Sequence, residues 1–104
     1  MTTDDPAMDA VGPVHPGEIL LEEFLKPFGL SPYAAAMRMH VPRTRIERLV
    51  RGDTPVTVDT AMRLGRLFRT SPEFWLNLQA TFDLRTWSGP SADLDSITPL
   101  EEVA

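Results

Sequence analysis

The stretch from Pro32 to Gly52, PYAAAMRMHVPRTRIERLVRG, constrains this chain more than any other. Ser31 is a cap residue and Pro32 suits the first position of a helix, where its missing N–H costs nothing. Tyr33 to Met39 then continues as a short helix whose consecutive alanines allow a second helix to approach closely. His40-Val41 makes a turn where a positive-φ glycine is more usual. A second helix is predicted from about Pro42 to Arg51, roughly 15 Å long at 1.5 Å per residue, with Gly52 as its stop. In that helix Ile46, Leu49 and Val50 face inward, while Arg43, Thr44, Glu47 and Arg48 face outward, flanked by Arg45 and Arg51. Two short helices at this spacing predict a helix-turn-helix whose second helix lies against DNA.

The rest of the chain predicts three more helices around this pair. His15-Pro16-Gly17-Glu18 opens the first, with Ile19, Leu20, Phe24 and Leu25 as its apolar stripe and Pro27 and Gly29 as its end. Thr57 caps a fourth helix, with Val58, Ala61, Met62, Gly65 and Phe68 marking one face, Leu64 and Leu67 beside it, and Arg63, Arg66 and Arg69 forming a ridge on the other side. Ser71-Pro72-Glu73 starts a fifth, which runs to about Arg85 and carries apolar residues on more than one face. Residues 1–14 are short, acidic and aperiodic and predict a flexible arm. The segment from Ser88 to Ala104 is acidic, with no base, and predicts a disordered tail. The folded domain is therefore expected over residues 15–87.

Net charge is −5, which on its own argues against a nucleic-acid partner, but its distribution reverses the argument. All ten basic residues lie between Lys26 and Arg85, where only five acids accompany them. Distribution, more than total charge, sets the electrostatic footprint. A solvated helical surface with acidic ends fits the charge pattern equally well, so the weight rests on the helix pair. On this reading Arg43 and Arg48 are placed to bond guanine edges in a bidentate manner, and Thr44 a thymine methyl or a phosphate. Arg45, Arg51 and Arg38 fall where phosphates run, and Ser31 with the helix it caps would receive another phosphate on backbone N–H groups.

No chemistry beyond binding is asked for. The chain has no cysteine. His15 reads as part of a helix start and His40 as a turn residue, and neither has a further ligand three or four residues away. Neither a catalytic set, a metal site nor a cofactor is expected. No apolar run approaches the length of a membrane span, and the N-terminus lacks the pattern of a secretory signal. A cytoplasmic protein is expected.

Residues 14–87 resemble the HigA family of antitoxins, also described as VapI-like plasmid-maintenance antidote proteins, within the lambda-repressor-like (XRE) helix-turn-helix class. The matching stretches are VHPGEILLEEFLKPFGLS, VPRTRIERLVRG, TVDTAMRLGRLF and SPEFWLNLQATFDLR. The resemblance implies an all-α, five-helix lambda-repressor-like domain with flexible acidic tails. It places Ala36 at the contact between the paired helices, Ile46 and Leu49 at buried positions, and Arg43, Thr44 and Arg48 where base edges are read. His40 departs from the glycine usual at the turn. The resemblance also implies a homodimer that binds a palindromic operator, represses its own operon and neutralises a RelE/HigB-like mRNA-cleaving toxin. Trp75, Leu78 and Phe82 of the fifth helix are the expected dimer surface. A stand-alone repressor and a protein-only helical adaptor are the alternatives.

Overall fold

The computed structural model describes residues 12–101. Residues 1–11 of the expected arm and 102–104 of the expected tail lie outside the described residues. Within them the chain is helical and has no strand. The first helix, α1, is continuous through three pieces: α-helical Pro16–Ile19, π-helical Leu20–Leu25 and α-helical Lys26–Phe28. The others are α2 (Pro32–Met39), α3 (Arg43–Val50), α4 (Val58–Phe68), α5 (Pro72–Thr86) and the short α6 (Ser91–Asp95).

Pro27 does not end α1, contrary to the sequence expectation; the helix continues to Phe28, and Gly29 in the left-handed conformation ends it. A proline inside a regular α-helix clashes with the carbonyl four residues back. Here the preceding turns are widened to π geometry, with the Lys26 N–H bonded to the Leu21 carbonyl. That wider turn relieves the clash.

Serine and threonine oxygens cap three helices. Ser31, Thr57 and Ser71 accept from the N–H groups of Ala34, Thr60 and Phe74 at 3.0, 3.2 and 3.1 Å. The α1 cap is different. His15 Nδ1 accepts from the Gly17 N–H at 2.9 Å. The same ring meets Phe82 of α5 edge-on at 4.9 Å and lies beside the backbone of Thr54 in the loop after α3. One imidazole thus ties α1, that loop and α5 together. Gly17 beside it is buried, and a Cβ there would overlap the carbonyl of Leu49. Only glycine allows α1 to lie so close to the end of α3.

The core joins Leu20 and Leu25 of α1, Ala35, Ala36 and Met39 of α2, Ile46 and Leu49 of α3, Ala61 and Leu64 of α4, and Trp75 of α5. Two placements differ from the sequence reading. In α4, Val58 and Met62 are 63% and 56% exposed, and the inward face is Thr60, Ala61, Leu64 and Gly65. Polar contacts described below accompany that rotation. In α5, Trp75 is fully buried, so it is a core residue and not part of a dimer surface. Its Nε1–H donates to Thr70 Oγ1 at 2.7 Å, and its ring lies 4.9 Å from Phe24. Burying a side chain of this size contributes about 3 kcal/mol, and the hydrogen bond removes the cost of the indole N–H. Leu78 and Phe82 are half-buried. Beyond α5, α6 forms within the segment expected to be disordered, but every residue of it is exposed.

Burial holds the His15 pKa below its ordinary 6.5, against the opposing pull of Thr54, Asp83 and Asp53. The folded chain therefore prefers neutral imidazole, whose Nδ1 can accept from Gly17. Stability is fully present above pH 6.5 and falls as the pH drops through the lowered folded-state value, because the unfolded chain takes up the proton first. We expect the urea midpoint to decline as the pH falls below 6.5, and His15→Asn, which retains a capping acceptor, to flatten that decline. Equal slopes in the two proteins would contradict this role for His15.

Candidate nucleic-acid interface

Helix α3 carries the residues expected to read DNA, and its orientation follows from its sequence. Ile46 and Leu49 are three residues apart and buried, which turns the opposite side outward. Arg43, Thr44 and Arg48 are exposed on that side. The turn before α3 is tight: His40 adopts φ 59°, ψ 45°, and the Val41 N–H bonds the Ala36 carbonyl at 3.0 Å. Ala35 and Ala36 are fully buried where α2 and α3 pack together. Histidine tolerates the left-handed region better than a β-branched residue, so the turn forms without glycine.

The expected contact residues differ in their present partners. Arg43 lies 3.3 Å from Glu47 and over the ring of Tyr33, 5.3 Å from its centre. Arg51 pairs with Asp53 at 3.0 Å. Both pairs are exposed, and such pairs contribute little to stability, so a phosphate can displace them. Arg48 and Arg38 are exposed and have no acid partner among the described residues. Ser31 is exposed at the start of α2, with its hydroxyl engaged by Ala34. A groove between α3 and the start of α4 is lined by Thr44, Arg45, Arg48, Thr54, Thr57 and Thr60. It offers hydroxyls and two guanidinium groups and no carboxylate.

Arg45 is held differently. Its guanidinium and that of Arg63 both bond one oxygen of Asp59. Arg63 also donates to the Met39 carbonyl at 2.9 Å, at the end of α2. Asp59 thus links α3 to α4, and Arg63 links α4 to α2. The Asp59–Arg63 spacing of four residues is legible in sequence as a helical ion pair. Its reach to Arg45 and Met39 is not, since those depend on how three helices pack.

A second support was also missed. Gln79 is buried on α5, its Oε1 accepts from the Val56 N–H at 2.7 Å, and its Nε2 donates to Asp83 at 2.9 Å. It fixes the loop between α3 and α4. Without that acceptor the buried Val56 N–H would be left unpaired, at a cost of about 1–3 kcal/mol. The sequence signal was weak, since Asn77 and Thr81 beside it are polar as well.

The helix-turn-helix family model matches residues 21–75. Virulence-associated protein I of Dichelobacter nodosus is 45% identical over 87 residues, spanning 84% of this chain and 81% of that protein. Antitoxin HigA-1 of Vibrio cholerae is 40% identical over 72 residues, spanning 69% of this chain and 68% of the antitoxin. Among solved structures, the Pseudomonas aeruginosa antitoxin HigA with the higBA promoter matches with a TM-score of 0.78 and 41% identity, covering 86% of this chain and 99% of that one.

Hydrogen bonds from Arg63 and then Arg45 hold the Asp59 carboxyl below its ordinary 3.8. The clamp is therefore fully formed above that pH and released only as the pH falls below it. In a carboxyl NMR titration, Asp59 should titrate below 3.8 in the wild type and move upward in Arg63→Ala. An unmoved midpoint would mean that Arg63 does not hold Asp59 in solution.

Proposed function

Since this chain belongs to the helix-turn-helix family and, within it, to the HigA antitoxins, we propose that it is the DNA-binding antitoxin of a type II toxin–antitoxin module. As a homodimer it binds a palindrome in its own promoter and represses the operon. It also neutralises a RelE/HigB-like mRNA-cleaving toxin. Residues 15–87 are the DNA-binding unit, and the protein acts in the cytoplasm, where its DNA and its toxin are. Among the described residues no helix is long and apolar enough to cross a membrane.

The observation that carries the DNA-binding reading is the outer face of α3. Arg43, Thr44 and Arg48 stand exposed there over buried Ile46 and Leu49, on a helix braced from both sides. In this reading those three side chains enter the major groove and reach base edges. Arg38, Arg51 and the N-terminus of α2 at Ser31 take phosphates, and Arg45 does so from its clamp with Asp59. That the similar Pseudomonas aeruginosa antitoxin HigA was solved with the higBA promoter supports DNA binding.

For the second copy, the site moves away from Trp75. A cleft of about 210 Å³ is lined by Val14, Ile19, Leu78, Thr81, Phe82 and Arg85. Near it in sequence, Leu84 and Trp87 are 80% and 58% exposed. Large apolar side chains left in water at the end of one helix fit a partner surface. A two-fold axis through this region would set two copies of α3 in successive major grooves, about 34 Å apart.

We expect a fragment of the chain's own promoter to shift with the wild type. Arg48→Ala should lose about 1–3 kcal/mol of discrimination between operator and random DNA. Failure of the wild type to bind at low salt would leave a protein-only adaptor as the better reading. Co-expression should rescue growth from the toxin encoded beside this gene; no rescue, with operator binding intact, would make the chain a stand-alone repressor.

For the dimer, Leu84→Glu changes a side chain that the monomer does not bury, and should yield monomers by sedimentation. Persistence of the dimer would place its interface elsewhere.

A further inference from the structure

A second basic surface lies outside the reading face of α3. A cleft between the ends of α2 and α4 is bordered by Arg38, His40, Arg63, Arg66 and Arg69. No carboxylate lines it. Arg38, Arg66 and Arg69 are exposed and unpaired among the described residues. The cleft neighbours the α3 face: Arg63 on its border shares Asp59 with Arg45 of α3 and donates to the Met39 carbonyl.

The backbone gives an independent indication. Among the described residues only two other than glycine have positive φ, His40 and Arg69, both at 59°. Both border this cleft. Each ends a helix in the left-handed conformation, α2 and α4 respectively, where glycine costs least. Non-glycine residues held in this region concentrate at functional sites. Here the strained backbone places an imidazole and a guanidinium on the rim of a cationic cleft.

The chemistry of the lining decides the class of ligand. A protein partner needs an apolar centre that loses its water. Leu67 and the largely buried Met39 are the only apolar members here. Several guanidinium groups without an acid suit phosphate oxygens. We infer that this cleft binds the phosphodiester backbone of DNA flanking the half-site read by α3, with Arg66 and Arg69 as its anchors. The contact is independent of sequence. It lengthens the footprint of each protomer and contributes affinity without specificity.

This inference rests on the DNA-binding reading above, and the test separates the two. Binding is measured across salt concentrations on an extended promoter duplex and on a random duplex of equal length, for the wild type and for Arg66→Ala/Arg69→Gly. The double variant should bind both duplexes about tenfold more weakly and keep the operator-to-random ratio. The slope of log affinity against log salt should fall by about two. Arg69→Gly alone should raise Tm by roughly 4 °C, as the left-handed strain is relieved, while still weakening DNA binding. Opposite signs for stability and binding rule out simple misfolding.

An unchanged affinity and slope in the double variant would overturn the inference while leaving the antitoxin reading standing. Absence of binding by the wild type would overturn both. Retained DNA binding with loss of toxin capture would overturn it in favour of a protein partner.

Discussion

The placement of α3 depends on one close approach, the backbone of Gly17 against the carbonyl of Leu49. With no side chain between them, α1 lies directly on the end of α3, and His15 closes the same junction from the other side. Apolar contact alone would let an eight-residue helix rotate or slide. Here a buried glycine fixes the distance, and a histidine that accepts from Gly17 and packs against Phe82 fixes the register. The HPGEIL stretch, remote in sequence from the arginines, is thus what holds them in place.

Polar contacts complete what packing begins. Asp59 and Arg63 join α4 to both members of the helix pair, and Gln79 secures the loop that follows α3. These contacts accompany the rotation of α4. Burial of Ala61, Leu64 and Gly65 turns Asp59 and Arg63 toward the helix pair and leaves Val58 and Met62 in water. The same Asp59 tempers the charge of Arg45, so the reading face is less uniformly cationic than its sequence suggests.

Charge is divided between two tasks. In the proposed complex Arg43 and Arg48 of α3 read bases, while the arginines at the ends of α2 and α4 follow the backbone. Acids are concentrated toward the two ends of the chain. A protein of net negative charge can in this way present a locally positive surface, since screening in salt limits each charge to its neighbourhood.

Much of the fold was legible in the sequence because its signals are local. Ser31-Pro32, Thr57 and Ser71-Pro72 announce helix starts through bonds that span three residues. The spacing of Ile46 and Leu49 determined which side of α3 faces outward, and so which arginines are exposed. What sequence could not decide were contacts between distant segments. Trp75 looked like a surface anchor until Phe24 and Thr70 were seen to enclose it. Pro27 looked like a stop until the π-helical turn accommodated it. Arg45, Arg63 and Gln79 acquired their roles only when α2, α3, α4 and α5 were brought together. The sequence by itself determined the helices and the outward face of α3, since both arise within a few turns of one chain segment. Only the tertiary structure decided which side chains brace that face, because a brace is a relation between helices.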